Sequence, residues 1–146
     1  MKGSPVARTP EQIRQEIATI LAAPIHRHLE LQLIEAGAGR SRLEFRAGLA
    51  TQMDEKGGRV HGGILALLLE PAALIAALDL LPARKMAVTA DMHLSVLRPA
   101  PPGERIELRG EVVRPGAALF FCEAQAWSQT KLIASARFTK AVIDVR

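Results

Sequence analysis

The sequence predicts an α+β fold in which an antiparallel sheet wraps around one long central helix. From Gly62 to about Leu80 the chain is apolar on nearly every side, which is typical of a helix covered by other elements. Two strand-like segments precede this run and four follow it, each with apolar and polar residues in alternation. A sheet around the helix buries every apolar face in this order, and no internal linker or repeat interrupts it. We therefore expect a single domain over 1–146.

One further helix is expected before this core. Residues 9–12 read Thr-Pro-Glu-Gln, which gives an N-cap threonine, proline at the first helical position and a capping-box glutamine. An apolar stripe at helical spacing follows, formed by Ile13, Ile17, Ile20 and Leu21. Pro24 ends the pattern, so we predict an N-terminal helix over 9–23, preceded by a flexible segment over 1–8.

Alternation of apolar and polar residues predicts the strands on either side of the buried helix. Before it, apolar residues alternate over 29–33 and 43–45 around a Gly-Ala-Gly turn, which predicts a hairpin, and residues 48–60 form a loop. After it, four strands are expected, at 88–96, 106–112, 117–127 and 131–143. In the first of these four, the alternation places Thr89, Asp91 and His93 together on one polar face.

Composition limits the partners of the chain. The net charge of +4 and the pI near 9.8 favour an anionic ligand, but the scattered basic residues and 3% aromatic content argue against nucleic acid. The most apolar segment, 64–78, is short for a membrane span and contains Glu70 and Pro71, so no membrane partner is expected. The single cysteine, Cys122, allows no intramolecular disulfide and is expected to be a packed core thiol. With the polar start at 1–5, it favours a cytoplasmic location.

The segment His61-Gly62-Gly63, followed by an apolar run and then Glu70, is the strongest indication of function. Glycines before a helix leave backbone N–H groups at its positive end, where they can stabilise a developing oxyanion. A single carboxylate in an apolar run must be paired, neutral or functional. The combination predicts acyl-transfer chemistry. The structural alternatives are a tight glycine turn and an ion pair that only supports the fold.

Three stretches of the chain resemble one known family over residues 24–143. They are His61-Gly62-Gly63 with an acid nine positions after the histidine, residues 88–91 leading to Leu97-Arg98-Pro99, and the Ala-Arg-Phe-Thr-Lys segment 136–140. With these features the chain resembles the hotdog-fold acyl-CoA thioesterases of the PaaI-like, phenylacetate-pathway type. The resemblance implies a hotdog fold and hydrolysis of a thioester, with coenzyme A as part of the substrate and no separate cofactor.

The resemblance also implies a role for each matching residue. The N–H of Gly62 would polarise the thioester carbonyl, and Glu70 would act as nucleophile or as general base on water. Thr89 would orient the water or the acid, and His61 would shape the loop beside the thioester. Candidate substrate-binding residues are Gly63, Glu55, Asp91, Arg98, Arg137 and Lys140. Of these, Arg137 and Lys140 are expected at the exposed end of the last strand, where they or Arg98 would meet the phosphates of CoA.

Two positions depart from the family pattern. Relatives commonly carry asparagine six residues before the histidine, as a second donor to the carbonyl, and this chain has Glu55 there. A carboxylate at this place opposes an oxyanion unless it turns away or is neutralised by a neighbour such as Lys56. Pro71 directly after the acid is also atypical; it removes the hydrogen bond to the Leu67 carbonyl and is expected to bend the helix beside Glu70.

Helix geometry predicts that two copies of the chain share each site. Gly62 and Glu70 are eight residues apart, which at 1.5 Å per residue is about 12 Å along one helix. Both cannot reach one carbonyl carbon, so the site must combine Gly62 of one subunit with Glu70 of another. A homodimer, or a dimer of such dimers, supplies these sites. His26 and His28 have no further ligands nearby in the sequence, so no metal is expected.

Two other functions remain open from the sequence. A hydratase or dehydratase of acyl thioesters on the same fold would also use a histidine and an acid, but its His-Phe-Pro-Gly or Asp-x-x-x-x-His signature is absent. A non-catalytic binder of acyl-CoA or another small ligand is suggested by Glu55 and Pro71.

Overall fold

The computed structural model of the protein describes residues 6–53, 55–56 and 58–145. The helices are α1 (Pro10–Leu21), α2 (Pro24–His28) and α3 (Gly62–Ala77), with a 3-10 turn at Leu49–Thr51. The strands are β1 (Gln32–Gly37), β2 (Arg40–Arg46), β3 (Lys85–Val96), β4 (Arg105–Arg114), β5 (Leu119–Ser128) and β6 (Lys131–Asp144). The predicted order of two strands, one buried helix and four strands is therefore confirmed.

The strands form one six-stranded antiparallel sheet in the order β1-β2-β4-β5-β6-β3. Helix α3 packs across its inner face, where apolar side chains of the helix and the sheet make a common core. Fully buried members of this core are Leu65, Leu68, Leu69 and Ile75 on α3 and Leu43, Phe45, Ile106, Leu108 and Phe138 on the sheet. The predicted α+β architecture is confirmed, and β1 and β3 are left as the two edge strands.

A close approach between α3 and the sheet sets the depth of the helix. A Cβ atom added at Gly110 of β4 would lie 2.2 Å from the carbonyl oxygen of Ala72, so only glycine fits there. Beside it, the buried Ser41 hydroxyl donates a 2.6 Å hydrogen bond to the same carbonyl. These contacts lie two residues beyond Glu70, and they fix that part of the helix against the sheet.

Helix α3 continues through Pro71, which is buried. The bend expected at this proline stays a prediction. With 16 residues the helix is shorter than the about 20 residues that a membrane span requires. Within the described ranges, no helix has both the length and the apolar character to cross a membrane.

The N-terminal helix ends earlier than predicted. Its capping box is present, because Thr9 Oγ1 accepts from the Gln12 N–H and Gln12 Oε1 accepts from the Thr9 N–H. However, α1 stops at Leu21, and Pro24 is the first residue of a second short helix, α2. Proline suits that position because the N–H it lacks would have no helical partner there.

Residues 6–8 contact the rest of the fold, and the flexibility expected over 1–8 stays a prediction. Arg8 is buried, and its guanidinium donates to the carbonyl oxygens of Leu81 and Pro82 at 2.9 and 2.7 Å. It also forms a 2.7 Å ion pair with Glu16 of α1. The several N–H donors of one guanidinium thus tie this segment and α1 to the turn after α3. The rest of the expected segment, 1–5, lies outside the described residues.

Candidate active site

The start of α3 presents one free backbone donor. His61 is the N-cap, and its Nδ1 accepts a 2.9 Å hydrogen bond from the Gly63 N–H. In the described part of the chain, the Gly62 N–H has no acceptor. The sequence predicts free N–H groups from both glycines, but the cap uses that of Gly63. Gly62 therefore carries the donor that an incoming carbonyl could meet, at the positive end of the helix.

None of the described residues requires glycine at position 62. An added Cβ would meet Val96 Cγ2 at 3.6 Å, an ordinary contact, whereas one at Gly63 would lie 3.0 Å from the His61 ring. The contact with Val96 places the start of α3 beside the end of β3.

Two backbone hydrogen bonds close the loop before the helix. The His61 N–H donates to the Thr51 carbonyl at 2.8 Å, and the Met53 N–H donates to the Arg59 carbonyl at 3.0 Å. Glu55 lies in the turn between these bonds and is exposed. Its neutralisation by a neighbour such as Lys56 stays a prediction. Its expected contact with substrate stays a prediction.

Glu70 belongs to a cluster of three polar side chains under the sheet. Its Oε1 accepts hydrogen bonds from Thr89 Oγ1 at 2.8 Å and from Lys140 Nζ at 2.7 Å, and Lys140 Nζ also donates to Thr89 Oγ1 at 2.8 Å. The side chain of Glu70 is 35% exposed, whereas that of Lys140 is 0% exposed. Within the described part of the chain, no group donates to Glu70 Oε2. The predicted proximity of Thr89 to the acid is thus observed, and one carboxylate oxygen remains available.

The placement of Lys140 corrects the sequence interpretation. We expected it with Arg137 at the exposed end of the last strand, but it is fully buried and paired with Glu70. Successive residues of a strand face opposite sides, so Lys140 follows the buried Ala136 and Phe138, while Arg137 faces outward. This parity is visible in the sequence and was the available sign that Lys140 points inward. The register of β3 against β6, which pairs Thr89 with Lys140, is visible only in the fold.

A bulge in β3 separates two residues that were expected on one face. Thr89 pairs with Lys140 and Asp91 pairs with Thr139, so Ala90 is an extra residue between them. Thr89 therefore faces α3, whereas Asp91 lies on the outer face of the sheet, on the side opposite to Glu70. Its expected role in substrate binding stays a prediction.

The outer face of the sheet carries two clefts, of about 590 and 540 Å³. The first lies over β1, β2, β4 and β5, and the second is lined by Asp91, His93, Arg137 and exposed Phe121 among others. Neither is lined by Glu70 or Gly62. Arg98 lies elsewhere, just after β3, where its guanidinium donates to the Leu132 carbonyl at 2.9 Å. Among the described residues, no group of His, Cys, Asp and Glu side chains is arranged to hold a metal ion.

Cys122 lies on the inner face of β5, opposite Phe138 of β6. Burial raises the pKa of its thiol to about 11, against a smaller opposite effect from the charge of Lys140. At neutral pH this thiol is protonated and unreactive. The packed core thiol predicted from the sequence is confirmed.

Known proteins resemble this chain in sequence and in fold. The sequence model of the thioesterase superfamily matches residues 57–134. Acyl-coenzyme A thioesterase 13 of Mus musculus is 25% identical over 132 residues, which cover 89% of this chain and 94% of that protein. A thioesterase family protein from Silicibacter pomeroyi superimposes with a TM-score of 0.81 at 26% identity, over 92% of this chain and 98% of that chain. The PaaI protein of the E. coli phenylacetic acid degradation operon has a TM-score of 0.79 at 18% identity, over 91% and 94% of the two chains.

These similarities confirm the predicted hotdog fold and the resemblance to PaaI-like proteins. The superfamily match covers more than half of the chain and includes both the helix start at Gly62 and Glu70. The chain belongs to the thioesterase superfamily, and its enzyme class is thioester hydrolysis.

Proposed function

We propose that the protein hydrolyses an acyl-CoA thioester to a free acid and CoA, at a site that two copies of the chain share. In each site, Gly62 of one subunit would meet Glu70 of the partner subunit. The observation that carries this proposal is that both halves of the site lie along the edge strand β3, at its opposite ends. Gly62 is beside Val96 at the end of β3, and Glu70 is bonded to Thr89 near its start.

Pairing of two β3 strands would bring the separated halves together. An edge strand has unpaired backbone N–H and C=O groups that can pair with another strand. In an antiparallel pair related by a two-fold axis, the start of one strand lies beside the end of the other. The Val96 end of one copy, with Gly62, then lies beside the Thr89 end of its partner. Exposed apolar side chains along and just after β3, Met92, Val96 and Leu97, would be covered by this contact.

The chemistry of the two halves suits hydrolysis of a thioester. A water oxygen attacks the carbonyl carbon while the water proton passes to Glu70 Oε2. The carbonyl electron pair moves onto its oxygen, which accepts the hydrogen bond from the Gly62 N–H. The carbonyl then re-forms, the C–S bond breaks, and the proton passes from Glu70 to sulfur. The products are a carboxylic acid and the thiol of CoA, and no cofactor takes part.

Glu70 can enter this reaction by a second route with the same products. Direct attack by its Oε2 on the carbonyl carbon expels the thiolate and forms a mixed anhydride, which water then cleaves. A single turnover in oxygen-18 water distinguishes the routes. General-base attack puts the label only in the product acid, whereas water attack on the Glu70 carbonyl of an anhydride leaves it on the enzyme.

Three observations support CoA as the leaving group. The mouse relative is named an acyl-coenzyme A thioesterase, and the net charge of +4 favours an anionic substrate. Arg98 and Arg137 have exposed side chains that can meet phosphates. Arg98 is the better candidate, because it follows Val96, the neighbour of Gly62. Lys140 is not a candidate, since it is buried.

A panel of CoA thioesters of different acyl chains, with release of free thiol as the readout, tests the substrate. We expect cleavage of at least one aliphatic or small acyl-CoA and no hydration of enoyl-CoA. Tight binding without cleavage of any ester would instead support a non-catalytic binder.

Mixed dimers test the shared site. Gly62→Pro removes the N–H and Glu70→Gln removes the acid, so each variant alone is expected to be nearly inactive. When both are co-expressed, about half of the dimers are mixed and each has one intact site, which restores about a quarter of the wild-type activity. If each chain carried a complete site, mixing would restore nothing.

A further inference from the structure

We propose that Lys140 is a positioning residue for thioester hydrolysis: with Thr89 it holds Glu70 Oε1, so that Oε2 is the oxygen that reacts. This inference rests on the proposed role of Glu70. Three hydrogen bonds of 2.7 to 2.8 Å join the three side chains, which come from α3, β3 and β6. Loss of the Lys140 ammonium would therefore remove a hydrogen bond directly from the Glu70 carboxylate.

The donor and acceptor of each hydrogen bond in this cluster can be assigned in only one way. A lysine ammonium has donors and no acceptor, so the Thr89 hydroxyl must accept from Lys140. Its own proton then points to Glu70 Oε1. Both donors converge on one carboxylate oxygen, and the other receives none from the described residues.

Restraint of the carboxylate is the function that this arrangement supplies. The terminal torsion of a glutamate is broad and roughly two-fold, so a free carboxylate exchanges its two oxygens. An ammonium at 2.7 Å and a hydroxyl at 2.8 Å, both on Oε1, oppose this rotation. The restrained carboxylate keeps Oε2 in one direction, which lowers the entropy lost when the carbonyl or the water is engaged.

The burial of Lys140 makes a purely stabilising role a poor explanation. Lysine is almost never fully buried, because taking its charge out of water is costly. Lys140 is 0% exposed, its only described carboxylate partner is Glu70, and it lies 5.4 Å from the Phe138 ring centroid. An apolar side chain of the same length would fill this space without a desolvation penalty. The buried ammonium is therefore better explained by what it does to Glu70.

Lys140→Met tests the proposal, because methionine has a similar shape but no charge or donor. We expect kcat for acyl-CoA cleavage to fall about 10- to 100-fold with KM nearly unchanged, the loss typical of a charge-assisted hydrogen bond that acts in the transition state. The melting temperature should stay at or above that of the wild type. In a Glu70→Gln background, the same substitution should cause no further loss.

Lys85→Met is the matched control. Lys85 also forms a 2.7 Å ion pair, with Asp144, but that pair is partly exposed and away from Glu70. We expect its kcat to match that of the wild type.

A second pair of variants is independent of the buried lysine. Thr89→Val should lower kcat because it removes the hydroxyl that joins Lys140 to Glu70, and Thr89→Ser should restore it. The proposal is overturned if Lys140→Met folds and keeps the wild-type kcat, or if its loss persists in the Glu70→Gln background. It is also overturned if Lys140→Met does not fold and Thr89→Val is fully active. An inactive wild type would instead refute the proposed function.

Discussion

The two halves of the candidate site are built in opposite ways. The acid half consists of side chains from three elements, which the fold brings together around Glu70. The donor half is one backbone N–H at Gly62, and it needs only a capped helix start in which no described group accepts from this N–H. The acid half is therefore sensitive to side-chain substitutions throughout the cluster, whereas the donor half is sensitive mainly to changes of the backbone.

The packing around the two halves also differs. Both Gly62 and Glu70 are half-buried, but Glu70 lies on a stretch of α3 that Ser41 and Gly110 hold against the sheet, whereas Gly62 follows the exposed N-cap His61 at the start of the helix. A supported acid and a donor at a helix end suit a site in which the substrate enters between two chains. Substitutions that act on one half only can test this comparison.

Replacement of the acid should have the largest effect. Glu70→Gln keeps the size of the side chain but removes the carboxylate, so we expect kcat to fall by about 10² to 10⁴, the usual contribution of a general base. Steady-state thiol release measures the loss, and circular dichroism checks the fold. Glu111→Gln is the control, because Glu111 is paired with Arg40 on the exposed outer face. Equal activity of the two variants would remove Glu70 from the site.

Removal of the backbone donor should have the next largest effect. Proline is tolerated at the first position of a helix, so Gly62→Pro is expected to fold while it deletes the N–H. The loss of one oxyanion donor predicts a decrease in kcat of about 100-fold.

The matched control for the donor keeps the N–H. Gly62→Ala adds only a methyl group, which would meet Val96 at an ordinary 3.6 Å. We expect it to retain most of its activity unless the substrate needs that space. If Gly62→Ala and Gly62→Pro lost the same activity, the loss would come from the atoms added at position 62 and not from removal of the N–H.

The donor half could be predicted from the sequence more completely than the acid half. A His-Gly-Gly segment before an apolar run is a local pattern, and local hydrogen bonds place it at the start of α3. Even so, the capture of the Gly63 N–H by His61 was missed, because it depends on the rotamer of one side chain.

The acid half depends on the register of the sheet, which the sequence shows only in part. The pairing of Thr89 with Lys140 requires β3 and β6 to be aligned, and the bulge at Ala90 changes the face of every residue after it. A strict alternation over 88–96 cannot reveal an extra residue, so it placed Thr89 on the polar face with Asp91, whereas Thr89 faces α3 and only Asp91 lies on the outer face. The inward direction of Lys140 was predictable from its parity with Phe138, but its partner was not.

A smaller effect is expected from the contact that supports the acid half. Gly110→Ala places a methyl group 2.2 Å from the Ala72 carbonyl oxygen, so the helix and β4 must move apart. We expect the free energy of unfolding to fall by about 1–3 kcal/mol, the usual cost of overpacking. Denaturant titration measures this change, with Gly48→Ala as the control because none of the described atoms lies within 4 Å of its added Cβ. An unchanged stability of Gly110→Ala would mean that α3 is not held at this depth.

The smallest effect concerns the thiol beside the acid half and involves no loss of activity. With a pKa of about 11, Cys122 is mostly protonated below that pH, so its alkylation should be very slow at pH 8 and should accelerate about tenfold per pH unit up to about pH 11. Because the folded protein holds this proton more tightly than the unfolded chain, the thiol also makes the free energy of unfolding fall between about pH 9 and 11.

The charge of Lys140 lowers the pKa of Cys122, which connects this measurement to the acid half. In Lys140→Met the pKa should rise further, so alkylation at a fixed pH should be slower than in the wild type. Mass spectrometry of the folded protein follows the modification, and denatured protein provides the reference for full labelling. Faster labelling in Lys140→Met would indicate that the substitution opens the core, and the loss of activity in that variant could then not be assigned to the orientation of Glu70.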